Sequence, residues 1–316
     1  MHVPVMICGF VRPDTLAKVF AAVREVKPQK LYLVLDAPRE GRPEDAALNE
    51  ECRRIFEGVD WQCDVVRDYA AANMGCGRRM TSAITSVFEH EEQAVILEDD
   101  CVPHPSFFRF CEELLERYKD DTRVGMIAGA CEHYRKSKMN FHGDSYYFDR
   151  MCTTGAGWAT WRRAWKLHDP SLKLVQRMIE CNVMENLFRR KKHVVRWAKE
   201  IIQLRDGKRN TWAGAWATTL YRENLLVAHP VADPVVNIGQ GKSSRPGAGG
   251  DAFPLPVDSV KIPEEIVFPL QHPVSMIPNT ACERYFIEDS YYVPTWRKIL
   301  SNPRLAVRKA IKKLCN

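Results

Sequence analysis

The chain has 316 residues, of which 45% are hydrophobic and 27% are charged, and its net charge is +6. These fractions are ordinary for a globular protein and exclude a wholly disordered, collagen-like or low-complexity chain. Seven Lys/Arg and no acid fall in residues 291–316, so residues 1–290 carry a net charge of −1, which argues against a nucleic-acid-binding protein.

Strands and helices alternate through the first 130 residues. Apolar runs predict strands at residues 3–9, 30–36, 61–66, 94–97 and 123–129, and periodic segments between them predict helices. We therefore expect an α/β fold with a mostly parallel central sheet flanked by helices. Functional groups in such folds collect at the carboxyl ends of the strands.

The second half of the chain is less regular. We predict a strand at residues 145–149, helices across 171–205 and 211–223, and short strands at 225–229 and 234–238. Trp158, Trp161 and Trp165 recur at spacings of three and four, which favours core packing on one helix face. Trp158 follows two glycines, so its alternative is a loop position that stacks on a sugar.

Three consecutive acids, Glu98, Asp99 and Asp100, end the fourth predicted strand. Like charges this close disfavour joint ionisation, and a divalent cation removes that cost. Hard carboxylate oxygens suit Mg²⁺ or Mn²⁺, held together with substrate phosphates. The alternative is a solvated acidic turn, but the position at a strand end favours a metal site.

A glycine-rich turn at residues 73–79 opens a predicted helix. Gly75 and Gly77 allow close backbone approach, and Arg78 begins the helix. Since a helix N-terminus attracts anions, the turn predicts a diphosphate site, with an ordinary glycine turn as the alternative. Arg12 and Asp36 follow the first two strands, at the sheet edge where a nucleotide would lie.

Seven segments together resemble the GT-A glycosyltransferases, specifically bacterial relatives of the Golgi N-acetylglucosaminyltransferase I family. They cover about three quarters of the chain, and the segment containing the three acids is the most specific of them. The segments are PVMICGFVRPDT (4–15), LYLVLDAPR (31–39), GCGRR (75–79), VILEDDCVPHPSFFRFCEELLERY (95–118), GAGWATWRRAW (155–165), TWAGAW (211–216) and VNIGQG (236–241).

The resemblance implies a role for each matching residue. It implies that Asp100 binds the metal and that Gly157 and Trp158 border the acceptor. The residues expected to bind the donor nucleotide are Arg12, Asp36, Gly77, Arg78, Glu98 and Asp99.

Two departures from the family pattern concern catalysis. The eukaryotic relative carries an aspartate, the catalytic base, where this chain has Ala213, and the loop after residue 239 lacks the histidine of many bacterial relatives. An inverting transfer needs a base near the acceptor hydroxyl. The base is therefore unassigned, with Asp206 and Glu223 as candidates only.

These observations predict a metal-dependent hexosyl- or N-acetylhexosaminyltransferase that uses Mn²⁺ or Mg²⁺. The expected donor is a nucleotide-diphospho-sugar, with a UDP-sugar favoured. The expected acceptor is a hydroxyl of a glycan or a lipid-linked molecule in bacterial surface polysaccharide synthesis, and the transfer inverts the anomeric centre. The first alternative is a non-catalytic sugar-nucleotide-binding protein, which Ala213 supports, and a nucleotidyltransferase ranks lower.

The sequence also predicts domain organisation and location. We expect a glycosyltransferase domain at residues 1–245, an irregular Pro/Gly-rich extension at 246–290 and a basic amphipathic tail at 291–316. The tail predicts either contact with an anionic membrane surface or a basic helix packed on the body. Eleven cysteines without a CxxC pair, together with the lack of a signal-peptide pattern or a long apolar run, predict a reduced, cytoplasmic protein.

Overall fold

A computed structural model describes residues 1–131, 141–239 and 262–291. Ten strands are formed in these ranges. They are β1 (Val5–Gly9), β2 (Lys30–Leu35), β3 (Asp64–Tyr69), β4 (Gln93–Glu98), β5 (Cys101–Pro103), β6 (Val124–Ala128), β7 (Tyr146–Asp149), β8 (Trp158–Trp161), β9 (Leu226–Pro230) and β10 (Val235–Asn237).

The same part of the chain also forms α-helices. They are α1 (Pro13–Val26), α2 (Pro43–Phe56), α3 (Cys76–His90), α4 (Pro105–Arg117), α5 (Arg162–Trp165), α6 (Val175–Glu180), α7 (Lys191–Arg205), α8 (Ala213–Arg222) and α9 (Thr280–Tyr285). The first helix begins with Pro13, whose fixed φ and missing N–H suit a first helical position. Leu16, Val19 and Val23 of this helix are fully buried.

Eight strands form one sheet in the order β3-β2-β1-β4-β8-β6-β9-β7. Among the described residues, four of its seven strand pairings are parallel. The prediction of a mostly parallel sheet flanked by helices is therefore confirmed. β5 and β10 pair separately as a two-stranded antiparallel ribbon.

The tryptophan-rich segment corrects one expectation. Residues 158–161 are not helical but form β8, which lies antiparallel between β4 and β6. In a strand, a spacing of three residues places two side chains on opposite faces. Trp158 and Trp161 accordingly belong to different core clusters, one on each side of the sheet.

The third strand begins later than the apolar pattern predicts, at Asp64 rather than at residue 61. Trp61 packs against Phe20, with ring centroids 6.0 Å apart, and donates its indole N–H to the Pro28 carbonyl at 2.9 Å. The apolar surface of Trp61 thus packs within the turn that precedes β3 and not within the strand. β5 and α9 were not predicted, because both are short.

The described part of the extension packs on the sheet. Ile266 and Leu270 are buried in the same core cluster as β1 and β4. The backbone N–H of Ser145 donates to the Gln271 carbonyl at 2.8 Å, and Arg109 stacks over the Phe268 ring at 4.0 Å. The predicted tail lies outside the described residues apart from residue 291.

The described cysteines form no disulfide bonds with one another. No helix in the described ranges is both long and apolar enough to cross a bilayer.

Candidate functional site

The carboxyl ends of β1 and β4 bring one arginine against two acids. Arg12 follows β1; its guanidinium pairs with Asp99 and, at 2.6 Å from Nη1 to Oδ2, with Asp100. The side chains of Asp99 and Asp100 are 4% and 12% exposed, whereas Arg12 is 26% exposed. Burial lowers the pKa of Arg12, but the two acids raise it by more, so it stays charged. Arg12 therefore neutralises acids that would otherwise repel each other.

The β5–β10 ribbon covers the other side of Asp100. The Asn237 side chain donates from Nδ2 to Asp100 Oδ1 at 3.2 Å and to the Gly155 carbonyl at 2.7 Å. Gly239 lies so close that a Cβ at this position would overlap the Asp100 carboxylate. Both oxygens of Asp100 are thus engaged by protein groups, in a space that admits only glycine at position 239. Asn237 was not among the site residues predicted from the sequence, although it lies in the VNIGQG segment.

Glu98 occupies a separate environment at the end of β4. Burial, followed by the charges of Asp100 and Asp99, raises the pKa of Glu98 to about 8. The nearby side chain of Trp212 lowers the pKa of Glu98 against these effects. Trp212 lies just before α8, so the start of α8 adjoins the acidic end of β4. Trp212 was not among the site residues predicted from the sequence.

Asp36 follows β2, is buried, and forms hydrogen bonds with the glycine-rich turn. Its carboxylate accepts the backbone N–H groups of Met74 and Gly75, each at 2.9 Å. The Asn73 side chain donates to the same carboxylate at 3.2 Å. The structure thus gives Asp36 a role in holding the turn before α3. The base-contacting role that the resemblance implies stays a prediction.

The N-terminus of α3 lies beside the acids and is capped from another loop. Gly77 donates its backbone N–H to Asn210 Oδ1 at 2.7 Å, and a Cβ on Gly75 would overlap the Asn210 amide. Burial, then Glu98 and Asp99, raises the pKa of the Cys76 thiol to about 12, which reflects how near the acids lie. Arg78 is exposed and donates from Nε to the Met74 carbonyl at 3.0 Å.

Trp158 does not occupy the loop position considered for it. It begins β8, is 1% exposed and stacks on Trp212 with ring centroids 5.3 Å apart. Both faces of β8 are buried, so the Trp158 ring contacts protein. Gly157, with φ of +67°, accepts the Gly129 N–H at 2.9 Å, and a Cβ there would press on Leu97 at 2.8 Å. An acceptor-side role for these two residues stays a prediction.

The two candidate bases lie at helix ends. Asp206 is the C-cap of α7, where it pairs with Arg205 at 3.0 Å. Glu223 is the C-cap of α8, at the opposite end of a ten-residue helix from Ala213. At 1.5 Å per residue these two positions are about 15 Å apart. Glu223 is therefore remote from Ala213.

The carboxylates present fit a hard cation only if substrate phosphates supply its other ligands. Within the described ranges, no group of three or more His, Cys, Asp or Glu side chains is placed to hold a metal. Mg²⁺ and Mn²⁺ commonly bind through one or two carboxylates plus substrate phosphates. Asp100 suits that mode, provided that its Oδ2 is released by Arg12.

No family model matches the chain, and no curated protein matches it. Among solved structures, it is similar to residues 1–349 of TarS from S. aureus, with 8% identity and a TM-score of 0.36, over 52% of this chain and 48% of that one. The chain thus spans about half the length of that protein fragment.

Two further solved structures show comparable similarity. A UDP-glucose pyrophosphorylase complexed with UDP-glucose matches 73% of this chain and 91% of its own, with 11% identity and a TM-score of 0.37. Mouse xyloside xylosyltransferase 1 matches 69% of this chain and 80% of its own, with 9% identity and a TM-score of 0.33. At these identities and TM-scores, the similarities carry no inference about function.

Proposed function

We propose that this chain is a glycosyltransferase that takes a sugar from a nucleotide-diphospho-sugar, preferably a UDP-sugar. The acceptor is a hydroxyl of a glycan or a lipid-linked molecule, and the product serves bacterial surface polysaccharide synthesis. The observation that carries this proposal is the convergence of Arg12, Asp36, Asp100 and the N-terminus of α3 at one edge of the sheet. Ligands of open α/β sheets bind at such carboxyl edges.

In this proposal, Arg12 pairs either with the two acids or with the diphosphate of the donor. Its guanidinium bridges Asp99 and Asp100 in the free protein, and it is the most exposed of the three side chains. A diphosphate would compete for the guanidinium, since bidentate arginine–phosphate pairs are strong. When Arg12 turns to the phosphate, Asp100 Oδ2 becomes available to a cation. Metal and donor binding are therefore coupled through Arg12.

A bound Mn²⁺ or Mg²⁺ ion would neutralise charge developing on the leaving diphosphate. Asp100 would hold it, and Asn237 orients the Asp100 carboxylate from the opposite side. Arg12 and the positive end of the α3 dipole would stabilise the same developing charge. The acceptor hydroxyl attacks the anomeric carbon with inversion, and the residue that removes its proton is not assigned.

Calorimetric titration tests the donor site. UDP-, GDP-, CMP- and dTDP-sugars are titrated with and without Mn²⁺ into the wild type, Asp100→Ala and the control Asp60→Ala. Asp60 is an exposed acid that pairs with Arg24 away from the site. We expect metal-dependent binding of one nucleotide, lost in Asp100→Ala and kept in Asp60→Ala. Failure of every donor to bind in either metal state would refute the proposal.

The alternative, a non-catalytic sugar-nucleotide-binding protein, is supported by Ala213 at the start of α8, where the eukaryotic relative has its base. It predicts donor binding without transfer or donor hydrolysis. Measuring release of the free nucleotide from the bound donor, with and without acceptor, separates the two. Release above the uncatalysed rate contradicts the alternative.

We further propose a cytoplasmic location, with peripheral membrane contact through residues 291–316. Deleting the segment tests the membrane contact. Loss of binding to anionic vesicles is expected, and unchanged vesicle binding would contradict it.

A further inference from the structure

A cavity of about 240 Å³ lies between α7 and α8. Its walls are mainly apolar. One side is formed by large side chains of α7 and the other by small residues of α8, namely Trp197, Ile201, Leu204, Ala213, Gly214 and Ala217. Because α8 presents Ala, Gly and Ala towards α7, the two helices leave space that larger side chains would fill. Ligand sites are typically concave and apolar with few polar groups.

The cavity adjoins the proposed donor site through the residues before α8. Thr211 and Ala213 both line it, and Trp212 between them lies near Glu98. The neighbouring Asn210 caps the N-terminus of α3 through Gly77. A molecule in the cavity would therefore lie next to the residues that adjoin the acidic end of β4.

The helix that walls the cavity is also the most basic part of the body. Residues 189–209 contain nine Lys/Arg and two Asp/Glu, a net charge of +7, which exceeds the +6 of the whole chain. At the cavity itself, Glu200 pairs with Arg196 at 2.9 Å and with Arg209 at 3.6 Å. An apolar cavity beside this charge suits a ligand with a hydrocarbon part and an anionic part.

From this combination we propose that the cavity and α7 bind a prenyl-phosphate-linked acceptor. The hydrocarbon chain enters the space between α7 and α8, and the phosphate groups lie at its rim against Arg196 and Arg209, the two cations beside Glu200. At about 240 Å³ the cavity is smaller than the roughly 300–1,000 Å³ of pockets that enclose whole ligands, so it holds only the first part of the chain. This inference rests on the proposed function, because it names the acceptor class of the same enzyme.

Chain length provides the first test and needs no variant. Dimethylallyl, geranyl and farnesyl diphosphate are titrated calorimetrically into the full chain, with inorganic diphosphate as the probe without hydrocarbon. Burying one CH₂ group increases affinity by up to about fourfold. We expect at least a tenfold gain from dimethylallyl to geranyl diphosphate and little further gain once the cavity is full. Equal affinities for all four compounds would overturn the proposal.

Two pairs of variants locate the site. Ala217→Leu fills the cavity, and Ala21→Leu makes the same change on an exposed position of α1. Arg209→Glu reverses a charge on the cavity wall, and Lys18→Glu reverses a charge on an exposed position of α1. The first member of each pair should bind geranyl diphosphate at least tenfold more weakly, and the second like the wild type. A melting curve of each variant checks that it is folded. If the two variants of either pair weaken geranyl diphosphate binding equally, the proposed site is wrong.

Donor binding, measured on the same samples, separates this inference from the proposed function. If a nucleotide-sugar binds with metal but prenyl diphosphates show no chain-length dependence, the acceptor inference fails and the proposed function stands. If prenyl diphosphates bind at the cavity while no donor binds, the cavity is a lipid-phosphate site but its role as an acceptor site fails with the proposed function.

Discussion

Replacing Arg12 by alanine removes the guanidinium that bridges Asp99 and Asp100 and leaves two largely buried carboxylates beside Glu98. Removing one partner of a buried ion pair typically costs about 3–5 kcal/mol, because the remaining charge stays uncompensated. Arg12 is 26% exposed, so water can partly replace it. We therefore expect a loss at the lower end, about 3 kcal/mol of unfolding free energy.

A divalent cation should recover much of this loss in Arg12→Ala. Without the guanidinium, Asp100 Oδ2 is open to the cation, and a ligand at 100 times its dissociation constant stabilises a protein by about 2.7 kcal/mol. In the wild type the cation competes with Arg12 for the same oxygen, 2.6 Å from Nη1. Mn²⁺ alone should therefore stabilise the variant more than the wild type.

Urea unfolding at pH 7.5, in EDTA and in Mn²⁺, measures both effects. Arg24→Ala is the matched control, because Arg24 pairs with Asp60 at the surface with both side chains 52% exposed. Exposed pairs of this kind contribute little, so the control should unfold like the wild type in both solutions.

Two results would refute this reasoning. Equal unfolding curves for Arg12→Ala and Arg24→Ala in EDTA would mean that Arg12 does not neutralise the acids. Equal stabilisation of Arg12→Ala and the wild type by Mn²⁺ would mean that Arg12 and the cation do not share Asp100.

Two further predictions concern His168 and Gly239. Burial lowers the pKa of His168 to about 4, and the ring stacks on Trp165 at 4.2 Å, so the folded state binds fewer protons than the unfolded state between about pH 6.5 and 4. The stability that neutral His168 contributes is therefore present above pH 6.5. It is lost as the pH falls to 4, by at most about 3 kcal/mol of unfolding free energy. Urea unfolding of His168→Phe should therefore depend less on acid pH than that of the wild type. Gly239→Ala places a Cβ on the Asp100 carboxylate and should weaken metal-dependent donor binding at least tenfold by calorimetry, whereas Gly155→Ala, whose Cβ would meet no atom within 4 Å, should bind like the wild type.

The chain order of strands and helices was readable from the sequence because burial imposes a period on each element. The apolar runs that became β1, β2 and β4 are buried on both faces, so they stand out as continuous hydrophobic segments. The strand β8 was misread as helix, because four residues are too few to reveal a period of two. Its place between β4 and β6 depends on neighbours that are distant in sequence.

The acids at the end of β4 and the glycine-rich turn were candidates from local sequence alone, since repulsion and backbone freedom are properties of adjacent residues. Their partners were not predictable in this way. Asn237 reaches Asp100 across 137 positions, and Asn210 reaches Gly77 across 133. Side chains that meet over such separations carry no local signature, so only the folded arrangement identifies them.

The sequence by itself thus determined the α/β class, the acidic end of β4 and the glycine-rich turn before α3. Each of these follows from the hydrophobicity, charge or backbone freedom of neighbouring residues. The tertiary structure decided that Arg12 forms an ion pair with Asp100, that Trp158 stacks on Trp212, and that a cavity separates α7 from α8. These features depend on which surfaces face each other after folding, and packing between distant segments sets that.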